Sequence, residues 1–548
     1  EQLAWFALQV NNGNPELCAE LKADINLFGG LYSGFAYDTG DPDIINKALQ
    51  WIPIGSDADG KRYTGTFNGN GHTVSAMLAK GTEKQGLFGT LGDNATIKKT
   101  GISDSQVEAS SGVAGGIAGY VRGTNVVITE CGNKAGSLSG YGMFFGGCVG
   151  LADSNSSLIM DGCYNEGNIS VPGGQMMGGI IGYVPSGNAR RVVIRNCMNK
   201  GKVEGLSYVG GIIGTAVSGT TTITGCWNAG IVSSSEAGRA GSIKGTELDS
   251  ADELRDCLVD ETHKYGDIGN CPTVKSEVLG TWGAAWWLNG GSLKQSTGLS
   301  WTYDKDSPYP VLNTMGLSSA ESWEVVGQAV DDGLIGEKPT GTPYQISKPE
   351  HLAWFAKKIN DGTLPANTTA VLKDHLNLAG TSYVSSGKLA WVPIGKDASH
   401  SYQGTFQSDT GNAKIYEIQD LYVNTTGEAG LFGNVDTGGV IQRIGIKGAS
   451  VAGKTSGGIA GMLKGTAEIS QCYNRGASSV SGTSYAGGIA GQVTGSAKIR
   501  DCYHLDSVVS GTGTTSYAGG IAGGIPSSGS AGVVQNSYNA CGTTGGIT

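Results

Sequence analysis

Apolar residues recur along this chain at two different periods. Leu3, Phe6, Ala7 and Val10 fall at i, i+3, i+4 and i+7, and so do Leu352, Phe355, Ala356 and Ile359. That spacing predicts two amphipathic helices, and each stops at Asn-Gly or Asp-Gly, a helix-ending pair. Elsewhere the apolar runs are short and β-branched, and the stretches between them are rich in Ser, Thr and Gly. This predicts strands rather than paired helices. "NGNGH" at 68–72 marks a turn.

The two helices open two copies of one plan. "EQLAWFALQVNNG" at 1–13 returns as "EHLAWFAKKINDG" at 350–362, "WIPIG" at 51–55 as "WVPIG" at 391–395, "YTGTF" at 63–67 as "YQGTF" at 402–406, and "GLFG" at 86–89 again at 430–433. Within each copy a shorter unit repeats. The second glycine of a Gly-Gly pair falls at Gly116, Gly147, Gly179 and Gly211, and in the second copy at Gly458, Gly488 and Gly520, so the intervals run from 30 to 32 residues. A weaker copy, "GSIKG", lies at 241–245. A sustained period of this length is the mark of a solenoid.

In a parallel β-solenoid, equivalent residues stack at about 4.8 Å. Ile117, Ile180, Ile212, Ile459, Ile489 and Ile521, with Cys148 in one copy, then form an interior column. A second element reads Cys-x-Asn: Cys131, Cys163, Cys197, Cys226, Cys472 and Cys502, with Asn133, Asn165, Asn199, Asn228, Asn474 and Asn539, where Ser537 takes the cysteine place in the last copy. Buried thiols behave as small apolar groups. The asparagines predict an amide ladder at a turn, since Asn tolerates left-handed backbone.

Composition narrows the class. Glycine supplies 93 of 548 residues and charged residues only 15%, against about 25% in ordinary chains. The net charge is −10, and no basic cluster is long enough to track phosphates, so nucleic acid is not an expected partner. No apolar window is long enough for a membrane-spanning helix, and the first residues are not a signal peptide. Eleven cysteines without a Cys-x-x-Cys exclude a zinc ribbon. Cys257 and Cys271 lie outside the repeats as a local pair, a candidate disulfide.

"GGIAG" followed by "CYNxG", and preceded by "GTFxGxGH" and "GLFG", resembles the GLUG-motif repeats of bacterial surface proteins. Such repeats also occur in the non-catalytic part of some immunoglobulin A peptidases. The resemblance implies a β-helical, extracellular or cell-surface region. With the rule for parallel crossovers, it also implies a right-handed coil.

Catalytic and metal motifs are missing. There is no His-Glu-x-x-His, and the six histidines are scattered. "SDADGK" at 56–61 resembles half a calcium loop, but the twelfth position from Asp57 is Asn68, not Glu. Asp153, Asp161, Glu166 and Glu204 are candidate carboxylates for polysaccharide cleavage, which needs a pair about 5–9.5 Å apart. Trp282, Trp286, Trp287 and Trp301, with Tyr303 and Tyr309, are expected to close the end of the first module, with a sugar platform as the alternative. Trp5 and Trp354 are expected to do the same at the helical ends. Tyr120, Tyr183, Tyr208, Tyr485 and Tyr517 are further candidate contact points.

The expected fold is all-β: two tandem parallel β-helix modules, each with a short N-terminal capping helix. Residues 1–314 form the first module, 315–345 a connector and 346–548 a second module without a counterpart of the Trp-rich close. Both ends of the chain read as cut. The expected function is that of a non-catalytic adhesin or stalk, with host protein, glycan or neighbouring copies as partners and no cofactor. A polysaccharide-cleaving enzyme and an accessory region of a secreted peptidase are the alternatives.

Overall fold

The computed structural model describes residues 1–27, 50–185, 191–216, 221–236, 239–245, 253–265, 271–295, 298–411, 414–526, 532–541 and 543–544. The chain forms two compact units, Glu1–Leu317 and Ser318–Thr548. Each is a parallel β-solenoid. Among the described residues, the one antiparallel strand pair is Ser300–Thr302 with Val311–Asn313.

One coil of the first unit shows the plan. Thr96–Lys98 lies on the first face, Gly101–Ala109 on the second, Val113–Gly115 on the third and Ala118–Val121 on the fourth, and the chain returns to the first face at Val126–Thr129. Strands of successive coils pair in parallel, so the first face becomes an eight-stranded sheet in unit one and a seven-stranded sheet in unit two. Register is strict there. Phe67, Ile97, Ile128, Met160, Ile194, Ile223 and Leu254 lie one above another. Phe406, Ile441, Ile469 and Ile499 do the same in unit two.

The Gly-Gly-Ile-Ala-Gly segment is the corner between the third and fourth faces. Ile117, Cys148, Ile180, Ile212 and Ile243 follow one another there through backbone hydrogen bonds, with their side chains buried. Both glycines of the pair answer to close packing. A Cβ on Gly179, the second of its pair, would lie 2.0 Å from the Gly211 carbonyl oxygen and 2.5 Å from the Asn199 side chain. A Cβ on Gly115, the first of its pair, would lie 2.2 Å from the Ala118 carbonyl oxygen. The corner folds so tightly that outward side chains of adjacent coils meet across it: the rings of Phe144 and Tyr183 stack at 5.0 Å.

Helix α1 (Gln2–Asn11) covers the first coil with Leu3, Phe6, Ala7 and Val10. The helix that opens unit two, Pro349–Asn360, buries Leu352, Phe355, Ala356 and Ile359 in the same way. A side-chain clamp explains the duplicated "W-x-P-I-G". Asn11 donates to the Pro53 carbonyl and accepts from the Gly55 N–H, and Asn360 repeats this with Pro393 and Gly395. The indoles of Trp51 and Trp391 then donate to the carbonyls of Leu87 and Leu431 in the two "GLFG" segments.

Trp5 and Trp354 part company. Trp354 is buried and donates to Asp331 at 3.0 Å, whereas Trp5 is 61% exposed. Trp354 is covered by a helix at Trp323–Asp331, inside the 315–345 segment, which packs on Pro349–Asn360.

Asn199 donates to the Gly201 carbonyl and the Asn228 side chain, and accepts from Asn165. Asn199→Ala is therefore expected to strand buried amide and carbonyl groups at about 1–3 kcal/mol each. A fall in the denaturant midpoint of unit one checks this, and an unchanged midpoint refutes it.

Candidate functional site

The corner between the first and second faces carries a polar pattern that recurs from coil to coil. The residue at this corner is left-handed in coil after coil: Lys99, Glu130, Gly162, Asn196, Gly225 and Asp256 in unit one, and Arg443, Gln471, Asp501 and Asn536 in unit two, with φ between 48° and 68°. The next residue is Thr100, Cys131, Cys163, Cys197, Cys226 or Cys257 in unit one, and Ile444, Cys472, Cys502 or Ser537 in unit two. The cysteine thiols donate to the carbonyl two residues back, for example Cys197 to Arg195 at 3.2 Å and Cys472 to Ser470 at 3.2 Å. Thr100 and Ser537 make the same bond with hydroxyls.

The asparagines two residues after each cysteine do not hold the turn. None of Asn133, Asn165, Asn199, Asn228, Asn474 and Asn539 has positive φ. Their side chains in unit one are buried and linked head to tail, Asn133 to Asn165 at 3.1 Å, Asn165 to Asn199 at 2.8 Å and Asn199 to Asn228 at 2.8 Å. In unit two His504 stands in this column, buried, with Nδ1 2.8 Å from the Asn539 amide oxygen.

Cys257 and Cys271 are not apart from the repeats. Trp227 is in register with Leu258, and Val259 with Thr273, which places Cys257 above Cys226 and Cys271 above Cys257. Both thiols are free and buried. The 257–271 excursion hid this register, because its rung is shorter than the repeat period.

The contacts of the Trp-rich segment run along the side of the coils. Its helices, Ser276–Leu279 and Trp282–Leu288, lead to the Ser300–Thr302/Val311–Asn313 hairpin, which runs back along the left-handed corner. The Trp287 indole donates to the Cys257 carbonyl at 3.3 Å and Trp301 to that of Gly225 at 2.7 Å, Gln295 donates to Asn196 at 2.9 Å, and Leu299 lies against Gly162. Tyr309 stacks flat on Trp227 at 5.1 Å. Trp282 and Trp301 are buried, and Trp286 and Trp287 half-buried, so the group offers no open ring platform.

The candidate carboxylates sit in separate local pairs. Asp153 accepts from Tyr120, Glu166 pairs with Lys200 at 2.7 Å, and Glu204 with Lys202 at 2.8 Å and Ser170 at 3.0 Å. Asp161 lies under the hairpin, held by Arg195 and Asn196 at 2.8 Å each, and burial raises its pKa against these bonds. Asp57, in the half calcium loop, is ringed by cations: Arg122 at 2.9 Å, Arg62 at 3.2 Å and Lys84 at 3.7 Å. Burial opposes ionisation of Asp57, but Arg122, Lys84 and Arg62 outweigh it and hold its pKa low. Among the described residues no three His, Cys, Asp or Glu side chains gather as a metal site.

Tyr183 stacks on Phe144 across the Gly-Gly corner, the Lys84 ammonium lies over the Tyr120 ring, Tyr208 lies beneath the Arg239 guanidinium, and Tyr485 stacks on Tyr517 at 5.5 Å. A further tyrosine stack, Tyr473–Tyr503–Tyr538, has centroids 4.8 and 5.5 Å apart on the second face of unit two. Reading the residue after each cysteine as an outward column would have found it. Two clefts of about 230 and 200 Å3 flank the Tyr383–Glu350 hydrogen bond, the larger lined also by Lys348 and His351.

No family model matches the chain. Halomucin of Haloquadratum walsbyi is 37% identical over 87 residues, which cover 16% of this chain and 1% of halomucin. A protein of Evansella cellulosilytica named "Putative Gly-rich membrane protein" is 31% identical over 146 residues, 26% of this chain and 16% of that one. The chain thus spans a small part of the length of these curated relatives. Among solved structures, one titled as a "putative immunoglobulin A1 protease" from Bacteroides ovatus aligns with a TM-score of 0.40 at 19% identity, covering 56% of this chain and 90% of the other. No helix among the described residues is long and apolar enough to cross a membrane.

Burial pushes the His504 pKa down. The unfolded chain binds a proton as pH falls below about 6.5, and the folded imidazole resists it. Stability should therefore be full above pH 6.5 and decline as pH falls towards the depressed folded value. Replacing it with the residue found in the other coils, His504→Asn, should flatten that decline. Hydrogen exchange of residues 498–511 at pH 7.5 and 5.5 measures it, and equal acid sensitivity in both proteins would refute the assignment.

Proposed function

We propose that the chain is a non-catalytic β-solenoid module of a secreted or cell-surface protein, serving as a stalk whose regular faces adhere to host protein, glycan or neighbouring copies. The observation that carries this reading is the state of the surface carboxylates. Asp153, Asp161, Glu166 and Glu204 each engage a side chain of the neighbouring coil, Tyr120, Arg195, Lys200 and Ser170, which favours bracing of coil against coil over proton transfer. The long in-register columns favour the same reading, since they make each unit a stiff support. The curated relatives support the surface location, one of them being named a membrane protein.

Immobilised polysaccharides and matrix proteins, probed with the intact chain, test this. A quadruple variant, Asp153→Asn, Asp161→Asn, Glu166→Gln and Glu204→Gln, is expected to keep the wild-type binding pattern within about twofold, provided circular dichroism shows it folded. Release of soluble oligosaccharide by the wild type but not by the variant would establish the enzyme reading instead.

A further inference from the structure

The cysteine column is longer than its motif. Backbone register stacks Cys131, Cys163, Cys197, Cys226, Cys257 and Cys271 on consecutive parallel strands of unit one, and Cys472 and Cys502 in unit two. Neighbouring parallel strands lie about 4.8 Å apart, inside the Cα separation of about 4.4–6.8 Å that a disulfide spans. Sulfur also meets the neighbouring coil directly: the Cys197 N–H donates to Cys226 Sγ at 3.4 Å.

We propose that these thiols are a modification site, closing into inter-coil disulfides Cys197–Cys226, Cys257–Cys271 and Cys472–Cys502 when the chain folds in an oxidising medium. The end of the column sets the phase. Cys271 has Cys257 as its neighbour in the column, so pairing these two leaves Cys226 to Cys197. Cys163 is then left between Cys131 below it and Cys148, whose thiol donates from the isoleucine column to the Cys131 and Tyr164 carbonyls at 3.7 and 3.5 Å. In unit two the column ends at once, with Ile444 and Ser537 on either side of the pair.

Each bridge forms by thiol–disulfide exchange. One thiolate attacks glutathione disulfide and expels one glutathione thiolate. The second cysteine thiolate then attacks the mixed disulfide and expels the other. Two cysteine thiols are oxidised and one glutathione disulfide is reduced to two glutathiones, with protons passing to solvent. Full burial of the thiols restricts this to folding or local opening. Once closed, a bridge holds two coils in register from inside the core, where reductant cannot reach it.

The physiological relevance rests on the surface reading above, because such bonds persist outside the reducing cytosol. The chemistry is tested independently of location. The intact chain, reduced and denatured, is refolded in a mixture of reduced and oxidised glutathione, quenched in acid, alkylated in denaturant, and mapped by mass spectrometry. The expected map contains the three named bridges, with Cys18 alkylated. Eleven alkylated cysteines, or bridges Cys163–Cys197 and Cys226–Cys257, would overturn the proposal. Cell fractionation separately decides the surface reading. A chain that forms the bridges in vitro yet stays in the cytosol refutes the location and leaves the pairing standing.

Discussion

Strict parallel register is the constraint on which everything else in this protein rests. Once each coil sits on the last without slippage, a side chain at a given place in the repeat has its own counterparts as neighbours above and below. Isoleucine packs on isoleucine, and thiol on thiol. Amides can be hydrogen-bonded to amides, so a polar group becomes affordable in the core. Where a strand takes up an extra residue, as between Gly482 and Tyr485 opposite Gly453 and Thr455, register is regained at once with Ser456 on Ala486 and Gly457 on Gly487, so the columns at the next corner survive. The same constraint accounts for the glycines. A Gly-Gly pair is needed wherever the backbone of the next coil and the amide column close in on one corner from two sides.

The two units apply this plan to different ends. In unit one the outward residues beside the cysteines, such as Trp227, are buried beneath a hairpin that runs along the corner. In unit two the equivalent residues are tyrosines that stack on one another, and Tyr538 is 56% exposed. The aromatic after each cysteine is therefore not a core residue. Its fate depends on what the outer surface meets.

The solenoid, its two copies and their helical caps could be read from the sequence because periodicity and duplication are properties of spacing alone. Features that depend on direction in space could not. The spacing of Cys-x-Asn locates a corner but does not say which residue bends it. The bend falls on the position before the cysteine or its equivalent, where Lys99, Glu130, Arg443 and Gln471 disguise a place otherwise held by Gly, Asn or Asp. Cys257 and Cys271 escaped because a register is counted in strands, not residues. The Trp-rich segment suggested an end cap on composition, yet its contacts with Gly225, Asn196 and Gly162 run sideways across three coils. The cations around Asp57 come from Arg62, Lys84 and Arg122, which lie close only after coiling.

The amide column of unit one also has a direction. Each of Asn133, Asn165 and Asn199 donates to the coil that follows, so the side-chain dipoles add along the axis rather than cancel. Its first member presents a bare amide oxygen at Asn133, and its last turns its N–H to a carbonyl of its own coil at Gly230. The solenoid thus carries an internal arrow. Coils are interchangeable in shape but not in orientation, and a coil gained or lost by duplication preserves the hydrogen-bond chain only if it enters pointing the same way.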